Sequence, residues 1–117
     1  MLRSQLILTF VLATGAALAG CETGSAGAGI EHYVAGRLAM EKENYEAALA
    51  ELEKAIRADP KLSIAHTAIG DVYRKQGHNQ LAGSAYTRAC RANPYAFLPH
   101  YNLGVTLQLL AEAAETA

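Results

Sequence analysis

The sequence predicts an all-α fold in which helix–turn–helix units stack into a solenoid, with two full units followed by one C-terminal helix. The main observation is a repeat period of about 34 residues, which is typical of such solenoids. Composition agrees, because alanine and leucine dominate the apolar residues and tryptophan is absent. The period relates three histidines, three glycines and two prolines: His32, His66 and His100; Gly36, Gly70 and Gly104; Pro60 and Pro94.

Length and charge limit the function classes. The chain has 117 residues, a net charge of −1 and a pI of about 6.4. The length favours one domain, and the charge gives no general attraction to nucleic acid or to a strongly anionic membrane surface. The repeats divide a domain at 30–117 into units of about 29–62, 63–96 and a partial 97–117.

Residues 1–20 are predicted to be a secretory signal peptide. Arg3 precedes an apolar run from Leu6 to Ala19, which is short for a membrane-spanning helix but suits a signal core. The run leads into Leu18-Ala19-Gly20-Cys21, which resembles the lipobox of bacterial lipoproteins. That resemblance implies diacylglycerol on Cys21, cleavage before it, and acylation of the new N-terminus, for example with palmitate. An ordinary signal peptide that ends near a cysteine is the alternative.

Residues 21–29 are predicted to be the lipidated cysteine and a flexible tether, because they are rich in Gly, Ala and Ser. Several acyl chains would hold the protein firmly, since each buried CH₂ contributes roughly 0.8 kcal/mol. In Gram-negative lipoproteins an aspartate directly after the cysteine favours the inner membrane. Glu22 stands there, so the resemblance implies the outer membrane, with the domain facing the periplasm.

The elements that follow are five helices, predicted at about 30–42, 45–58, 63–76, 79–92 and 97–114. Pro60 and Pro94 bias the residues before them, Asp59 and Asn93, away from helix, so each closes one unit. Pro99 suits the first turn of the last helix, where no N–H is needed. Turns within the units are expected at Glu43-Asn44 and Gly77-His78-Asn79.

Small residues recur where paired helices should touch. The three related glycines are expected to allow close helix approach, with alanines on the second helix of each pair and bulky residues filling the remaining space. The alanines are Ala48, Ala55, Ala82 and Ala89, and the bulky residues are Leu52, Ile69, Tyr73 and Tyr86.

These positions carry a resemblance to a known family. The segment from His66 to Tyr73 fits the opening pattern W-x₂-L-G-x₂-Y, with His for Trp and Ile for Leu, and Ala82, Tyr86, Ala89 and Pro94 fit its tail. The chain therefore resembles the tetratricopeptide repeat over about residues 29–117. The resemblance implies a non-enzymatic protein that binds extended or helical peptides of a partner in a concave groove lined by the first helices.

The resemblance also implies which residues face that groove. The candidate binding residues are Tyr33, Arg37, Asp71, Arg74, Lys75, Tyr101 and Asn102, with Met40, Glu41, Thr67, Val105 and Gln108 at neighbouring places. Family members that clamp a C-terminal carboxylate carry a set of Lys, Asn and Arg there. Thr67 and Ala68 interrupt that set, so this kind of clamp is not expected. The alternative is that these residues are only a solvated face.

No residue pattern predicts catalysis, a metal or a cofactor. The three histidines lie on equivalent first helices, but at a place where the family packs an aromatic ring, so we expect core or half-buried packing. Cys90 falls on the apolar side of a helix, and we expect a buried, inert thiol. An intermolecular disulfide is the alternative, because the periplasm is oxidising.

The last helix is expected to pack on the preceding hairpin through one stripe and to expose a second one. The packing stripe is Leu103, Leu107, Leu110 and Ala114, and the exposed stripe is Leu98, Tyr101, Val105 and Leu109. A polar capping helix would not carry the second stripe. A homodimer or a partner protein is therefore expected to cover the face around Val105 and Leu109.

These features together predict a lipid-anchored adaptor or assembly factor for an envelope complex, such as a pilus, secretion or outer-membrane complex. Its partners would be an unidentified protein or peptide and the membrane, through Cys21, and not nucleic acid. Two alternatives remain: an accessory subunit of an envelope enzyme, and a truncated fragment of a longer repeat protein.

Overall fold

A computed structural model describes residues 24–117, and within this range the chain forms five α-helices and no strand. The helices are α1 Gly24–Glu41, α2 Tyr45–Ala58, α3 Ser63–Lys75, α4 Asn79–Ala92 and α5 Phe97–Thr116. Two antiparallel hairpins, α1–α2 and α3–α4, stack on each other, and α5 packs on α4. This confirms the predicted all-α repeat fold. The predicted signal peptide and Cys21 lie outside the described residues.

Helix α1 begins earlier than predicted, so residues 24–29 of the expected tether are helical. Gly29 in this segment is buried against the end of the first unit. A Cβ atom on Gly29 would lie 3.3 Å from the Cβ of Asp59 and 3.4 Å from the carbonyl oxygen of Ala55. The tether prediction rested on a composition rich in Gly, Ala and Ser, which is typical of flexible linkers, and composition does not report a packing contact such as that of Gly29. Residues 21–23 of the tether are outside the described range.

The two units end in the same way. Asp59 and Asn93 leave the helix with nearly equal φ values of −139° and −140°, as the prolines after them predict. Each side chain then accepts a hydrogen bond from a backbone N–H two residues later, at 3.0 Å from Lys61 and 3.1 Å from Tyr95. The turn from one unit to the next is therefore fixed locally, by side chain as well as by proline.

Within each hairpin a glycine on the first helix receives a large side chain from the second. A Cβ atom on Gly36 would lie 2.6 Å from Cγ of Leu52, and one on Gly70 would lie 2.5 Å from the ring of Tyr86. Leu52 and Tyr86 are fully buried and are themselves one repeat period apart. The four predicted alanines of α2 and α4 are fully buried as well. The predicted packing role is confirmed for Gly36 and Gly70.

Gly104 differs, because a Cβ atom there would meet nothing within 4 Å. The predicted packing stripe of α5 is also partly wrong: Leu107 is 55% exposed and Ala114 is exposed, whereas Pro99 and Thr106 are buried. The buried positions of α5 match buried positions of α3, whose residues stand one repeat period earlier. Thr106 corresponds to Val72, which packs in the core with Leu52 of the preceding unit. Gly104 corresponds to Gly70, which faces the second helix of its own unit.

No helix within residues 24–117 combines the length and the apolar character needed to cross a membrane.

Candidate functional site

A groove runs along the first helices of the units, α1, α3 and α5. One part of it is a cavity of about 240 Å³ with a mainly apolar lining. Four of the residues predicted to face the groove or neighbour those places line it: Tyr33, Arg37, Thr67 and Asp71. The other lining residues are Ser63, Ile64, Ala68, Asn93, Ala96, Phe97, Leu98 and Pro99.

An exposed aliphatic column crosses the first helices, with one large side chain at the equivalent place on each of them. Ile30, Ile64 and Leu98 are 43%, 45% and 54% exposed, one in each unit, and Ile64 and Leu98 line the apolar cavity. Sequence reasoning missed Ile64 and Phe97 as groove residues. The signal that would have found Ile64 is the same repeat period, because it stands midway between Ile30 and Leu98.

The groove is polar towards the C-terminal ends of α1 and α3, its polar end. A second cavity, of about 160 Å³, is lined by Arg37, Met40 and Glu41 of α1 and by Asp71, Arg74 and Lys75 of α3. Three cationic side chains therefore converge on a place with two carboxylates. All three cations are exposed to solvent. The structure thus brings six of the residues predicted for the groove and its neighbouring places, from two units, to one end of it.

Asp71 connects three helices. Its Oδ1 atom accepts a 2.6 Å hydrogen bond from the hydroxyl of Tyr86 on α4 and a 3.1 Å bond from Nδ2 of Asn102 on α5. Burial raises the pKa of the Tyr86 hydroxyl, and the hydrogen bond to the Asp71 carboxylate raises it further. Asp71 and Asn102, both predicted to bind a ligand, therefore also hold the units together.

The other predicted residues on α5 lie beyond the two cavities. Tyr101 is 58% exposed and stacks on Phe97, with ring centroids 5.9 Å apart. Val105 is half-buried, and exposed Gln108 donates a 2.9 Å hydrogen bond to Glu112. The aromatic pair extends the apolar surface beside Leu98. Whether any of these side chains contacts a ligand stays a prediction.

The three related histidines occupy different environments. His66 is buried, with Nε2 2.9 Å from the carbonyl oxygen of Pro60, and half-buried His32 places Nδ1 2.8 Å from a carboxylate oxygen of Glu51. His100 is exposed, contrary to the expected core packing, because no second helix within the described residues covers its face of α5. Among residues 24–117, no three His, Cys, Asp or Glu side chains form a group that could hold a metal ion.

Cys90 is half-buried on α4 rather than fully buried. Burial raises the pKa of its thiol, which lowers the fraction of reactive thiolate at neutral pH.

The comparison with protein families now identifies the repeat. No curated protein matches the chain. A family model described as "Tetratricopeptide repeat" matches residues 33–97, which is more than half of the chain and spans both hairpins up to the start of α5. Members of this family are in general non-catalytic modules for protein–protein interaction. The chain belongs to the tetratricopeptide repeat family.

Proposed function

We propose that this protein is a lipid-anchored adaptor of the bacterial envelope, which holds a peptide segment of a partner protein in the groove along α1, α3 and α5. The family supports the interaction role. The lipobox-like sequence that ends in Cys21 supports the anchor and, with Glu22 after it, a periplasm-facing place at the outer membrane. The partner would be a component of an assembly such as a pilus, secretion or outer-membrane complex.

The observation that carries the binding proposal is the exposed aliphatic column. Single exposed apolar side chains are ordinary on protein surfaces, but a contiguous apolar patch is typical of an interaction site. Ile30, Ile64 and Leu98 repeat at equivalent places on successive units, and two of them line one cavity. A peptide that follows the groove would bury one apolar side chain against each unit.

The polar end indicates the charge of the ligand. Arg37, Arg74 and Lys75 outnumber the two carboxylates beside them, and the carboxylate of Asp71 already accepts two hydrogen bonds. Arg74 and Lys75 also lie in the last turn of α3, where their charges offset the helix dipole. We infer that the bound segment carries apolar residues for the column and a carboxylate for the cationic end.

Site-specific photocrosslinking of the full chain in its native cells tests the groove. A photoreactive residue at Ile64 is expected to form a defined adduct with a partner protein, whereas the same residue at exposed Glu53 on α2 should form none. Arg74→Glu should weaken the Ile64 adduct, with an affinity loss of about tenfold. Arg57→Glu, the same charge reversal in the last turn of α2, is the matched control. Equal adducts from Ile64 and Glu53 would contradict the proposal.

Labelling with a radioactive fatty acid tests the anchor. The wild-type chain should incorporate palmitate, Cys21→Ser should not, and Cys90→Ser should label like the wild type. Incorporation into the Cys21→Ser variant would show that the anchor proposal is wrong. The groove proposal does not depend on that result.

A further inference from the structure

One face of α5, the seat, has the form of a surface that binds another helix, and no helix among the described residues covers it. His100, Leu103, Gly104 and Leu107 occupy the places that His66, Ile69, Gly70 and Tyr73 occupy on α3, one period earlier. On α3 the glycine of this set faces α4, because Gly70 lies against the ring of Tyr86. On α5 the glycine meets nothing within 4 Å, and Leu107 is 55% exposed.

This seat is complementary to itself. In the first hairpin a leucine, Leu52, packs on a glycine, Gly36. On α5 an open glycine and an exposed leucine stand three residues apart, on one side of one helix. An antiparallel second copy of α5, related by a two-fold axis between positions 105 and 106, places its Leu107 on Gly104. The same register places Gly104 of the second copy under Leu107 of the first.

Charge favours the same arrangement. No Asp, Glu, Lys or Arg occurs between Phe97 and Ala111, so the centre of the seat offers no ion pair to a charged partner. The antiparallel register brings Glu112 and Glu115 of one copy to the N-terminal end of the other α5, where the helix dipole is positive. Arg88 and Arg91 of α4 line the groove beside Leu103 and Leu107, so cations stand next to the entering helix end.

We propose that two copies of this chain associate through α5, with Leu107 of each copy packed on Gly104 of the other. The face differs from the stripe that the sequence suggested. Val105 and Leu109 correspond by the same period to Asp71 and Lys75, which line the polar cavity of the groove, so Gly104 and Leu107 lie on a different face of α5. The proposed contact therefore does not use the polar cavity.

A head-to-tail stack is the competing arrangement, because Val34 and Leu38 on α1 are also 48% and 53% exposed. Their counterparts Ala68 and Val72 pack against both helices of a preceding hairpin. The described part of α5 offers one helix instead of two, which makes it a poor seat for α1. A two-fold contact also closes after two copies, whereas a head-to-tail contact continues.

Sedimentation of the full chain in a density-matched detergent tests the proposal. The wild type is expected to be a dimer at tens of micromolar. Gly104→Leu should shift the dissociation constant at least tenfold towards monomer, while far-UV circular dichroism shows the helices intact, because Gly104 has open space around it in one copy. Leu109→Glu is the matched control on the neighbouring face and should remain a dimer.

The double variant Gly104→Leu/Leu107→Gly provides the sharpest result. It exchanges the leucine and the glycine, so a two-fold pair again meets leucine on glycine at both places, and the dimer should return. A wild type that stays monomeric would overturn the proposal, as would a Gly104→Leu variant that dimerises like the wild type. Species larger than a dimer that are lost in Leu38→Glu would overturn it in favour of the head-to-tail stack.

Discussion

The hydroxyl of Tyr86 donates a 2.6 Å hydrogen bond to the carboxylate of Asp71, across the interface between α3 and α4. The ring of the same tyrosine fills the space above Gly70, the residue next to Asp71 in the chain. One side chain therefore provides both the packing and the polar contact of the second hairpin. Since Asp71 also accepts from Asn102, the contact extends to α5.

Tyr86→Phe tests the strength of that hydrogen bond. The ring remains, so the packing on Gly70 is kept, but the Asp71 carboxylate loses its shortest partner. Hydrogen bonds to charged groups contribute about 1.5–3 kcal/mol, so we expect unfolding in urea to lose about 2 kcal/mol of free energy. Tyr95→Phe removes a hydroxyl from a ring that is 96% exposed and should change nothing. Equal stability of the two variants would contradict the assignment.

The same contact predicts a pH dependence. The pKa of Tyr86 is raised above its usual value of 10.0, so the unfolded chain loses this proton first as the pH rises. The stabilisation from Tyr86 should therefore be fully present below pH 10.0 and decrease above it, towards the folded-state pKa. The measurement is the difference in unfolding free energy between wild type and Tyr86→Phe, which should shrink as the pH rises above that value. A difference that grows would contradict the prediction.

The three related glycines should respond differently to a methyl group. Gly70→Ala places a Cβ atom 2.5 Å from the Tyr86 ring, so overpacking of about 1–3 kcal/mol should outweigh the gain in helix propensity. Gly104→Ala meets open space within one copy and should stabilise the helix by about 1 kcal/mol. Thermal unfolding checks both, at a protein concentration where sedimentation shows the chain to be monomeric. A destabilised Gly104→Ala variant would show that α5 is packed differently.

Much of the fold was predictable because the same residue types recur at equivalent positions of both units. Pro60 and Pro94 mark the ends of units, and the predicted bounds of α2 and α4 agree with the structure. The pairing of Leu52 with Gly36 and of Tyr86 with Gly70 follows from the same period. Local residue types and periodic spacing were sufficient here, because each helix contacts neighbours that are close in sequence.

The sequence was a poorer guide where a contact exists in one unit alone. α5 carries apolar residues around most of its surface, so the spacing of apolar residues within the helix could not show that Thr106 packs inward and Leu107 outward. The repeat period, which relates Thr106 to buried Val72, was the better guide. The role of Asp71 depended on where the Tyr86 hydroxyl ends, which no pattern specifies. At the site, the polar end was found by family resemblance, and the repeat period would have found Ile64, whereas Phe97 required knowledge of which side of α5 lines a cavity.

Cys90 should react slowly with iodoacetamide in the native protein. Its thiol is half-buried, and burial raises its pKa, so little thiolate is present at neutral pH. In a Cys21→Ser background, the labelling rate should increase at least tenfold when the chain is unfolded in urea. Native labelling as fast as in urea, or a reducible dimer on a gel, would favour the intermolecular disulfide.

The turns inside the two hairpins both favour glycine, so introducing glycine in one turn and removing it from the other should have opposite effects. Glu43 has a φ of 57° and Gly77, at the equivalent place one period later, has a φ of 80°. Side chains other than glycine are strained there by roughly 1–2 kcal/mol. Glu43→Gly should therefore stabilise the chain by about 0.5–1 kcal/mol, after the greater flexibility of glycine in the unfolded state is subtracted.

Gly77→Ala should lose about 1 kcal/mol for the same reason, since open space around its Cβ position leaves strain as the main effect. Glu43→Ala is the matched control, because it removes the charge of an exposed side chain but keeps the Cβ atom and its strain. Urea unfolding should rank Glu43→Gly above wild type, with Glu43→Ala close to wild type and Gly77→Ala below it. If Glu43→Ala gained as much as Glu43→Gly, charge rather than backbone strain would be the cause.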